Sequence, residues 1–464
     1  MSALGWIERL LNSVADHGME LIGLKQPEGA APSDSELCHR LLEGQGEASN
    51  IALAREILKR WQEMDEPQRG DFLHMIAVEL DPDPNEIQQA AQAYRSHDPE
   101  SLHRLLEVSE PPRQEFFRRL NMAPGATAVL VSMRADLLGR LAEHPELKGV
   151  DYDMRHLLAS WFNRGFLRLE RIDWDSPASV LEKLIRYEVV HPMQGWEDLR
   201  RRLASDRRCF AFFHPALPQD PLIFVEVALT REVSDSITPL IDSEAPLTDT
   251  HGVDTAIFYS INNALKGLRG ISFGNFLIKQ VVSELALEFP GVQRFVTLSP
   301  IPQLRSVLHR LQQQPVGGQT PEALNRVLDD RADELMQAAD CDDPLQALDR
   351  LMENPPEAPL RQSIEKVLRE LVLFYLTQLK RGDHALEPVA HFHLSNGASL
   401  DRINVFANPS PRGNQDSWGC MVNYRYEAAQ LVANHEAYLC DGHIALSAEL
   451  EQGQSKLLSR LNQD

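Results

Sequence analysis

The chain has 464 residues, enough for two or three domains, and its 43% hydrophobic and 25% charged residues are those of an ordinary globular protein, neither disordered nor fibrous. Asp and Glu outnumber Lys and Arg by 68 to 46, a formal net charge of −22 that repels polyanions, so neither nucleic acid nor an anionic membrane is expected as a partner without a strong local basic patch. The start, Met1-Ser2-Ala3-Leu4-Gly5-Trp6, lacks the basic lead and long apolar run of a signal peptide, and no stretch of about 18 apolar residues occurs, so a soluble, cytoplasmic protein is expected. Cys38, Cys209, Cys341, Cys420 and Cys440 show no metal-binding spacing, which predicts reduced, mostly buried thiols and no metal.

Residues 1–163 read as an all-helical domain. Apolar residues recur at helical spacing at Ile7, Leu10, Leu11 and Val14, and again at Ala54, Ile57, Leu58 and Trp61, with breaks at Pro82, Pro84, Pro111, Pro112 and Pro124-Gly125. No grouping of His, Ser, Cys or paired carboxylates asks for chemistry there, so packing and self-association are its expected roles. From Gly165 the pattern changes to strands: Phe166–Glu170 alternates, and Cys209–Phe213 and Leu222–Leu229 flank a proline-bearing turn as a hairpin. Thr255–Ile261 is a further strand. It leads into a glycine-punctuated loop, Gly267–Gly274, then a helix carrying Leu277, Val281, Leu285 and Phe289 that stops at Pro290-Gly291. A strand from Val292 to Leu298 runs into Ser299-Pro300-Ile301-Pro302. About 303–388 reads as a helical insertion, with Thr320-Pro321-Glu322 as a helix start and Ile364, Val367, Leu368 and Leu371 on a buried face. Strands resume at Ala390–Leu394 and Gly419–Tyr426. The expected class is α+β, with a helical domain at 1–163 and a domain of strands and helices at 164–464.

Three features could carry chemistry. Backbone N–H groups of the glycine loop, flanked by Lys266, Arg269 and Lys279, could cradle a phosphate, although glycines before a helix are more often plain turn residues. Ser299 is held at a strand end by Pro300 and Pro302, as many turn serines are. On a strand, His391 and His393 would share one face, which suits an acid/base pair, a structural role or, with no third ligand at a telling spacing, least of all a metal. Arg200-Arg201-Arg202 with Arg207 and Arg208 is the one basic cluster; it lacks interleaved aromatics and reads as a solvated helix end.

Seven segments taken together resemble the malonyl-CoA decarboxylase family: His191–Leu203, Asp206–His214, Phe258–Ile261, Gly267–Val282, the L-S-P-I-P of Leu298–Pro302, the H-F-H-L-S-N-G-A of His391–Ala398, and Met421–Tyr426. The resemblance covers most of Gly165–Tyr426 and is looser before it. It implies a helical domain followed by a catalytic domain of the GNAT acyltransferase fold, a mixed β-sheet with acyl-CoA in a cleft of the sheet. It also implies a homotetramer. Arg269, Gly270, Ile271, Ser272, Phe273, Gly274 and Asn275 would bind CoA, Ser299 and His393 would be the catalytic serine and the proton-donating histidine, and Ser260 and Tyr426 would line the substrate. Two departures stand out: Ser272 replaces a glycine of the general R-x-x-G-x-G pattern, and it stands where animal members carry a glutamate. The peroxisomal tripeptide of some animal members, S-K-L, occurs here only internally at Ser455–Leu457, in keeping with a cytoplasmic enzyme.

The implied reaction takes malonyl-CoA to acetyl-CoA and CO2. Because the thioester carbonyl accepts the electrons released with CO2, no cofactor is expected beyond the CoA of the substrate. An acyltransferase on the same fold is the alternative, and a non-enzymatic acyl-CoA-binding regulator a third reading.

Overall fold

The computed structural model describes residues 32–44, 46–271, 277–328, 331–353 and 357–462. Its first helices begin where side chains satisfy free backbone N–H groups. α1 (Asp34–Glu43) opens on a capping box between Ser33 and Glu36; α2 (Glu47–Glu63) follows, and α3 (Glu66–Glu79) opens on a second box between Asp65 and Gln68. Asp83 and Asp98 cap α4 (Pro84–Ala93) and α5 (Pro99–Ser109), each with proline in the first turn, at about 1 kcal/mol per cap. α6 (Pro112–Leu120) also starts on proline, Gly125 at φ 75° turns the chain into α7 (Ala126–Arg140), and α8 (Lys148–Trp161) closes the series. The breaks expected at the prolines fall between helices, and Pro84 and Pro112 open the helices that follow them. Ile57, Trp61, Phe72, Ile76, Phe116 and Leu130 are among the core residues, with the Trp61 and Phe72 rings 5.6 Å apart. The helix expected around Ile7–Val14 lies outside the described residues.

These helices, together with Phe213–Leu222 and Asn263–Phe273 from later in the chain, form one compact unit; Leu169–Phe212, Ile223–Asn262 and Gly274–Asp464 form a second. In chain order the strands are β1 (Arg168–Ile172), β2 (Arg207–Phe213), β3 (Ile223–Thr230), β4 (Thr255–Asn263), β5 (Arg294–Thr297), β6 (Ser299–Pro300), the short β7 (Lys380–Arg381) and β8 (His384–Ala385), then β9 (Ser399–Asn404) and β10 (Met421–Arg425). The sheet runs β1-β2-β3-β4-β5-β10-β6, with β9 on β10 and β7/β8 as a separate ribbon. β2 and β3 form the expected antiparallel hairpin. β4 and β5 are parallel, and the helix Leu277–Glu288 lies in the crossover such a pair needs. β10 is antiparallel to β5, β6 and β9, which makes the sheet mixed. Helices fill most of the segment between β6 and β9, including the buried Leu360–Gln378.

Two expectations are corrected. Ala390–Leu394 is not a strand but part of the helix Pro388–Ser395, started by Pro388 and by the Glu387 side chain accepting from the Val389 N–H at 3.3 Å. A helix turns about 100° per residue, so His391 and His393 point in nearly opposite directions. His391 is exposed, its Nδ1 2.9 Å from the Tyr438 hydroxyl and its ring 5.5 Å from His384, whereas His393 is buried. The arginine run is likewise no solvated helix end. Arg201 holds Asp206 through two hydrogen bonds (2.7 and 3.1 Å), Arg202 pairs with Glu226 (2.5 Å), Arg207 with Asp206 (2.9 Å) and Arg208 with Glu288 (2.6 Å). All four arginines are buried; Arg200 alone stays out, over the Trp174 ring. Of the cysteines, Cys38, Cys209 and Cys420 are buried, and all five are free thiols.

Among the described residues no helix is long and apolar enough to cross a membrane, and no three His, Cys, Asp or Glu residues gather as a metal site.

Candidate active site

Strand alternation sorts the centre of the sheet into two faces. Phe258 pairs with Thr297, Arg425 with Val296 and Val422 with Ser299. Phe258, Ser260, Thr297, Ser299, Tyr424 and Tyr426 therefore share one face. Ile257, Tyr259, Val296 and Leu298 take the other and pack with Ala228 and Met421 in an apolar core. Beyond the Leu298 N–H to Phe258 carbonyl bond (2.9 Å) the register with β4 ends, because Ser299 and Pro300 pair with β10 instead.

Onto the first face the helix Pro388–Ser395 brings His393. Its Nε2 lies 3.0 Å from Ser299 Oγ and its Nδ1 2.8 Å from the Tyr426 hydroxyl, and its ring stacks on Tyr424 with centroids 4.5 Å apart at 23°. Ser299 Oγ is also 2.9 Å from Thr297 Oγ1, which accepts the Tyr424 backbone N–H at 3.1 Å. Ser299, His393 and Tyr426 are 6%, 2% and 3% exposed, so the row Thr297–Ser299–His393–Tyr426 is nearly dry. Burial alone, with no charged neighbour to offset it, pushes the His393 imidazole down to about 3 from 6.5. The neutral ring must then donate through one nitrogen and accept through the other. Two proton arrangements satisfy the row. Tyr426 donates to Nδ1 while Nε2–H donates to Ser299, or Ser299 donates to Nε2 while Nδ1–H donates to Tyr426.

Ser299, His393 and Tyr426, singled out in the sequence, thus come together. Ser260 faces the same way but answers to another partner: its hydroxyl donates to Glu188 Oε2 at 2.7 Å and accepts from Asn262 Nδ2 at 2.6 Å, while Asn262 also donates to Glu188. Arg269, Gly270 and Ile271 form a tight turn, with the Arg269 N–H bonded to the Lys266 carbonyl, the Ile271 N–H to that of Leu268, and Gly270 at φ 79°. Ser272, Phe273, Gly274 and Asn275 lie outside the described residues. Sequence reasoning did not single out Thr297, Tyr424 or Glu188. The first two sit two residues before Ser299 and Tyr426 on the same strand face, a spacing that could have found them. Glu188, at the end of the helix Ala178–Tyr187, carries no such signal.

A buried serine–histidine–tyrosine row is suited to moving one proton. Comparison with known proteins narrows the class. The family model described as malonyl-CoA decarboxylase C-terminal domain matches residues 165–463, and the one described as its N-terminal domain matches residues 80–162. The mitochondrial malonyl-CoA decarboxylase of Anser anser anser is 39% identical over 350 residues, 73% of this chain and 69% of that protein; that of Rattus norvegicus is 36% identical over 358 residues, 75% and 72%. The crystal structure of malonyl-CoA decarboxylase from Rhodopseudomonas palustris, 44% identical, superposes with a TM-score of 0.81 over 91% of this chain and 100% of that one. With both domain models matched in order and relatives of this identity along most of its length, the chain belongs to the malonyl-CoA decarboxylase family.

Proposed function

We propose that the protein converts malonyl-CoA to acetyl-CoA and CO2 on the row Ser299–His393–Tyr426. The 3.0 Å contact between Ser299 Oγ and His393 Nε2 in a buried setting carries this reading. The bond between the α-carbon and the carboxylate breaks, its electron pair passes into the thioester carbonyl as an enolate, and CO2 departs. A proton then closes the α-carbon. With the thioester as electron sink, the protein has to bind, orient, hydrogen-bond the oxyanion and supply that proton.

His393 supplies it in a cycle that its environment favours. Among the chain's own residues nothing offsets the burial of the imidazole, which favours its neutral form. The malonyl carboxylate is the missing negative partner, so the ring takes up a proton with the substrate. When CO2 leaves, the imidazolium passes the proton to the α-carbon, directly or through the Ser299 hydroxyl, and returns to its neutral state. A positioned acid of this kind contributes roughly 10²–10⁴-fold in rate. Tyr426 fixes the ring through Nδ1, and Ser260 lines the acyl end. Arg269, Gly270 and Ile271, with Ser272 to Asn275 next in sequence, receive the CoA pyrophosphate.

Incubation with malonyl-CoA and no acceptor tests the reading. Stoichiometric acetyl-CoA and CO2 are expected; a thioester that stays inert until an amine acceptor is added contradicts it and favours an acyltransferase. Self-association into a tetramer is part of the proposal. On α5 no residue is buried, and Leu102 and Leu106, 44% and 62% exposed, are the kind of apolar surface a second copy would cover.

A further inference from the structure

Among the described residues of the first unit, Arg134 on α7 is the one buried arginine that reaches the glycine turn, and the reaction chemistry makes no use of it. It is 1% exposed. Its Nε donates to Asp151 Oδ1 of α8 at 2.8 Å, while Nη1 donates to the main-chain carbonyls of Gly267 at 2.6 Å and Arg269 at 3.0 Å. A buried guanidinium is costly unless paired, and Asp151 balances the charge at Nε while the two hydrogens of Nη1 hold both carbonyls at once. The turn is pressed against the same helix. A Cβ on Gly267 would lie 1.8 Å from the Val131 carbonyl oxygen, so only glycine admits this approach.

Holding the carbonyls aims the opposite side of the turn. In a trans peptide the C=O and the next N–H point in opposite directions. Fixing the Arg269 carbonyl toward Arg134 therefore fixes the Gly270 N–H away from the helix. The turn's own hydrogen bonds use the N–H groups of Leu268, Arg269 and Ile271, and none among the described residues uses that of Gly270. Gly270 and the Arg269 side chain are both exposed, which leaves a free N–H beside a cation. Such a pair suits a phosphate oxygen.

We infer that Arg134 is a positioning residue for CoA: from inside the helical unit it sets the turn that presents Gly270 N–H and Arg269 to the pyrophosphate. The inference rests on reading the turn as the pyrophosphate site, and it gives the helical unit a part in substrate binding besides self-association.

Steady-state kinetics on malonyl-CoA and on malonyl-pantetheine, which lacks the nucleotide and its pyrophosphate, separate the possibilities. Arg134→Met should raise KM for malonyl-CoA roughly tenfold or more, the scale of a lost charged hydrogen bond, and leave kcat/KM for malonyl-pantetheine within about twofold. Arg134→Lys, with one point-like donor in place of the fork, should fall between; it also serves if the methionine variant does not fold. Equal losses on both substrates would make Arg134 merely structural and overturn the inference. So would an unchanged KM in Arg134→Met while Gly270→Val raises it, an outcome that leaves the turn as the pyrophosphate site. If Gly270→Val, Arg269→Ala and Arg134→Met all leave KM unchanged, the pyrophosphate lies elsewhere and the reading of the turn falls together with the inference.

Discussion

The two faces of one sheet bury polar groups in opposite ways. On one face the row from Thr297 through Ser299 and His393 to Tyr426 is neutral and hydrogen-bonded, and His393 has no charged neighbour to keep it protonated. On the face of Tyr259 the polar groups are charged and paired. Arg202 lies 5.7 Å from the Tyr259 ring centroid; burial works against its charge, and Glu226, with Tyr259 and Glu188, more than restores it. A charge that already has its partner is a structural element with nothing left to offer a ligand. A neutral base with an unfilled need for a counter-charge is poised to bind an anion and a proton together. Both faces are dry, so burial alone does not mark the active one; the presence or absence of a fixed counter-charge does.

The contrast can be broken from either side. His393→Ala should lower kcat by roughly 10²–10⁴-fold while leaving CoA affinity close to wild type, because it removes a group acting on carbon in the transition state. His391→Ala, on the opposite side of the same helix, should stay within about threefold. Equal losses in the two variants would take the proton from His393. On the charged face the pattern reverses. Arg202→Met should cost about 3–5 kcal/mol in urea unfolding, since Glu226 is left buried without its partner, yet the folded fraction should turn over near the wild-type rate. A stable but inactive Arg202→Met would put the charged network into the chemistry.

Acid sharpens the comparison more gently. With its folded value near 3 and its unfolded value near 6.5, His393 is neutral in the native state while the unfolded chain takes up a proton first as pH falls. Its contribution to stability is therefore intact above about pH 6.5 and is lost progressively as pH drops toward 3. His393→Gln should flatten that limb of a thermal-stability curve. Calorimetry in two buffers of different ionisation enthalpy checks the catalytic half of the same idea: malonyl-CoA binding to the slow Ser299→Ala variant should take up close to one proton, and acetyl-CoA binding none. No uptake with malonyl-CoA would leave His393 neutral throughout and without a proton to give.

How much of this was legible beforehand differs by element. Prolines marked breaks in the helical bundle, two of them in the first turns of α4 and α6, and the β2/β3 hairpin followed from two apolar runs around a proline-bearing turn. The run His391-Phe392-His393-Leu394 misleads because four alternating residues fit a strand and a short helix equally well; Glu387-Pro388 just before it is the helix-start signal that decides. The arginine run misleads for another reason. Asp206 stands within the run itself, but Glu226 and Glu288 come from later in the chain, and only the fold brings them to Arg202 and Arg208. Ser299 and His393 stood out through family resemblance, 94 residues apart. That the histidine is neutral, stacked on Tyr424 and tethered to Tyr426 is a property of packing, which no local pattern encodes.

The central claim is that Ser299 works by hydrogen bonding and is never acylated, since decarboxylation breaks a carbon–carbon bond and leaves the thioester intact. Rapid acid quench of a single turnover with malonyl-CoA, followed by mass spectrometry of both the thioester and the Ser299 peptide, tests it most directly. The expected result is acetyl-CoA accumulating in step with malonyl-CoA loss while the Ser299 peptide keeps its unmodified mass at every time point. A transient malonyl or acetyl increment on that peptide, absent in Ser299→Ala, would contradict the account and make the serine a nucleophile.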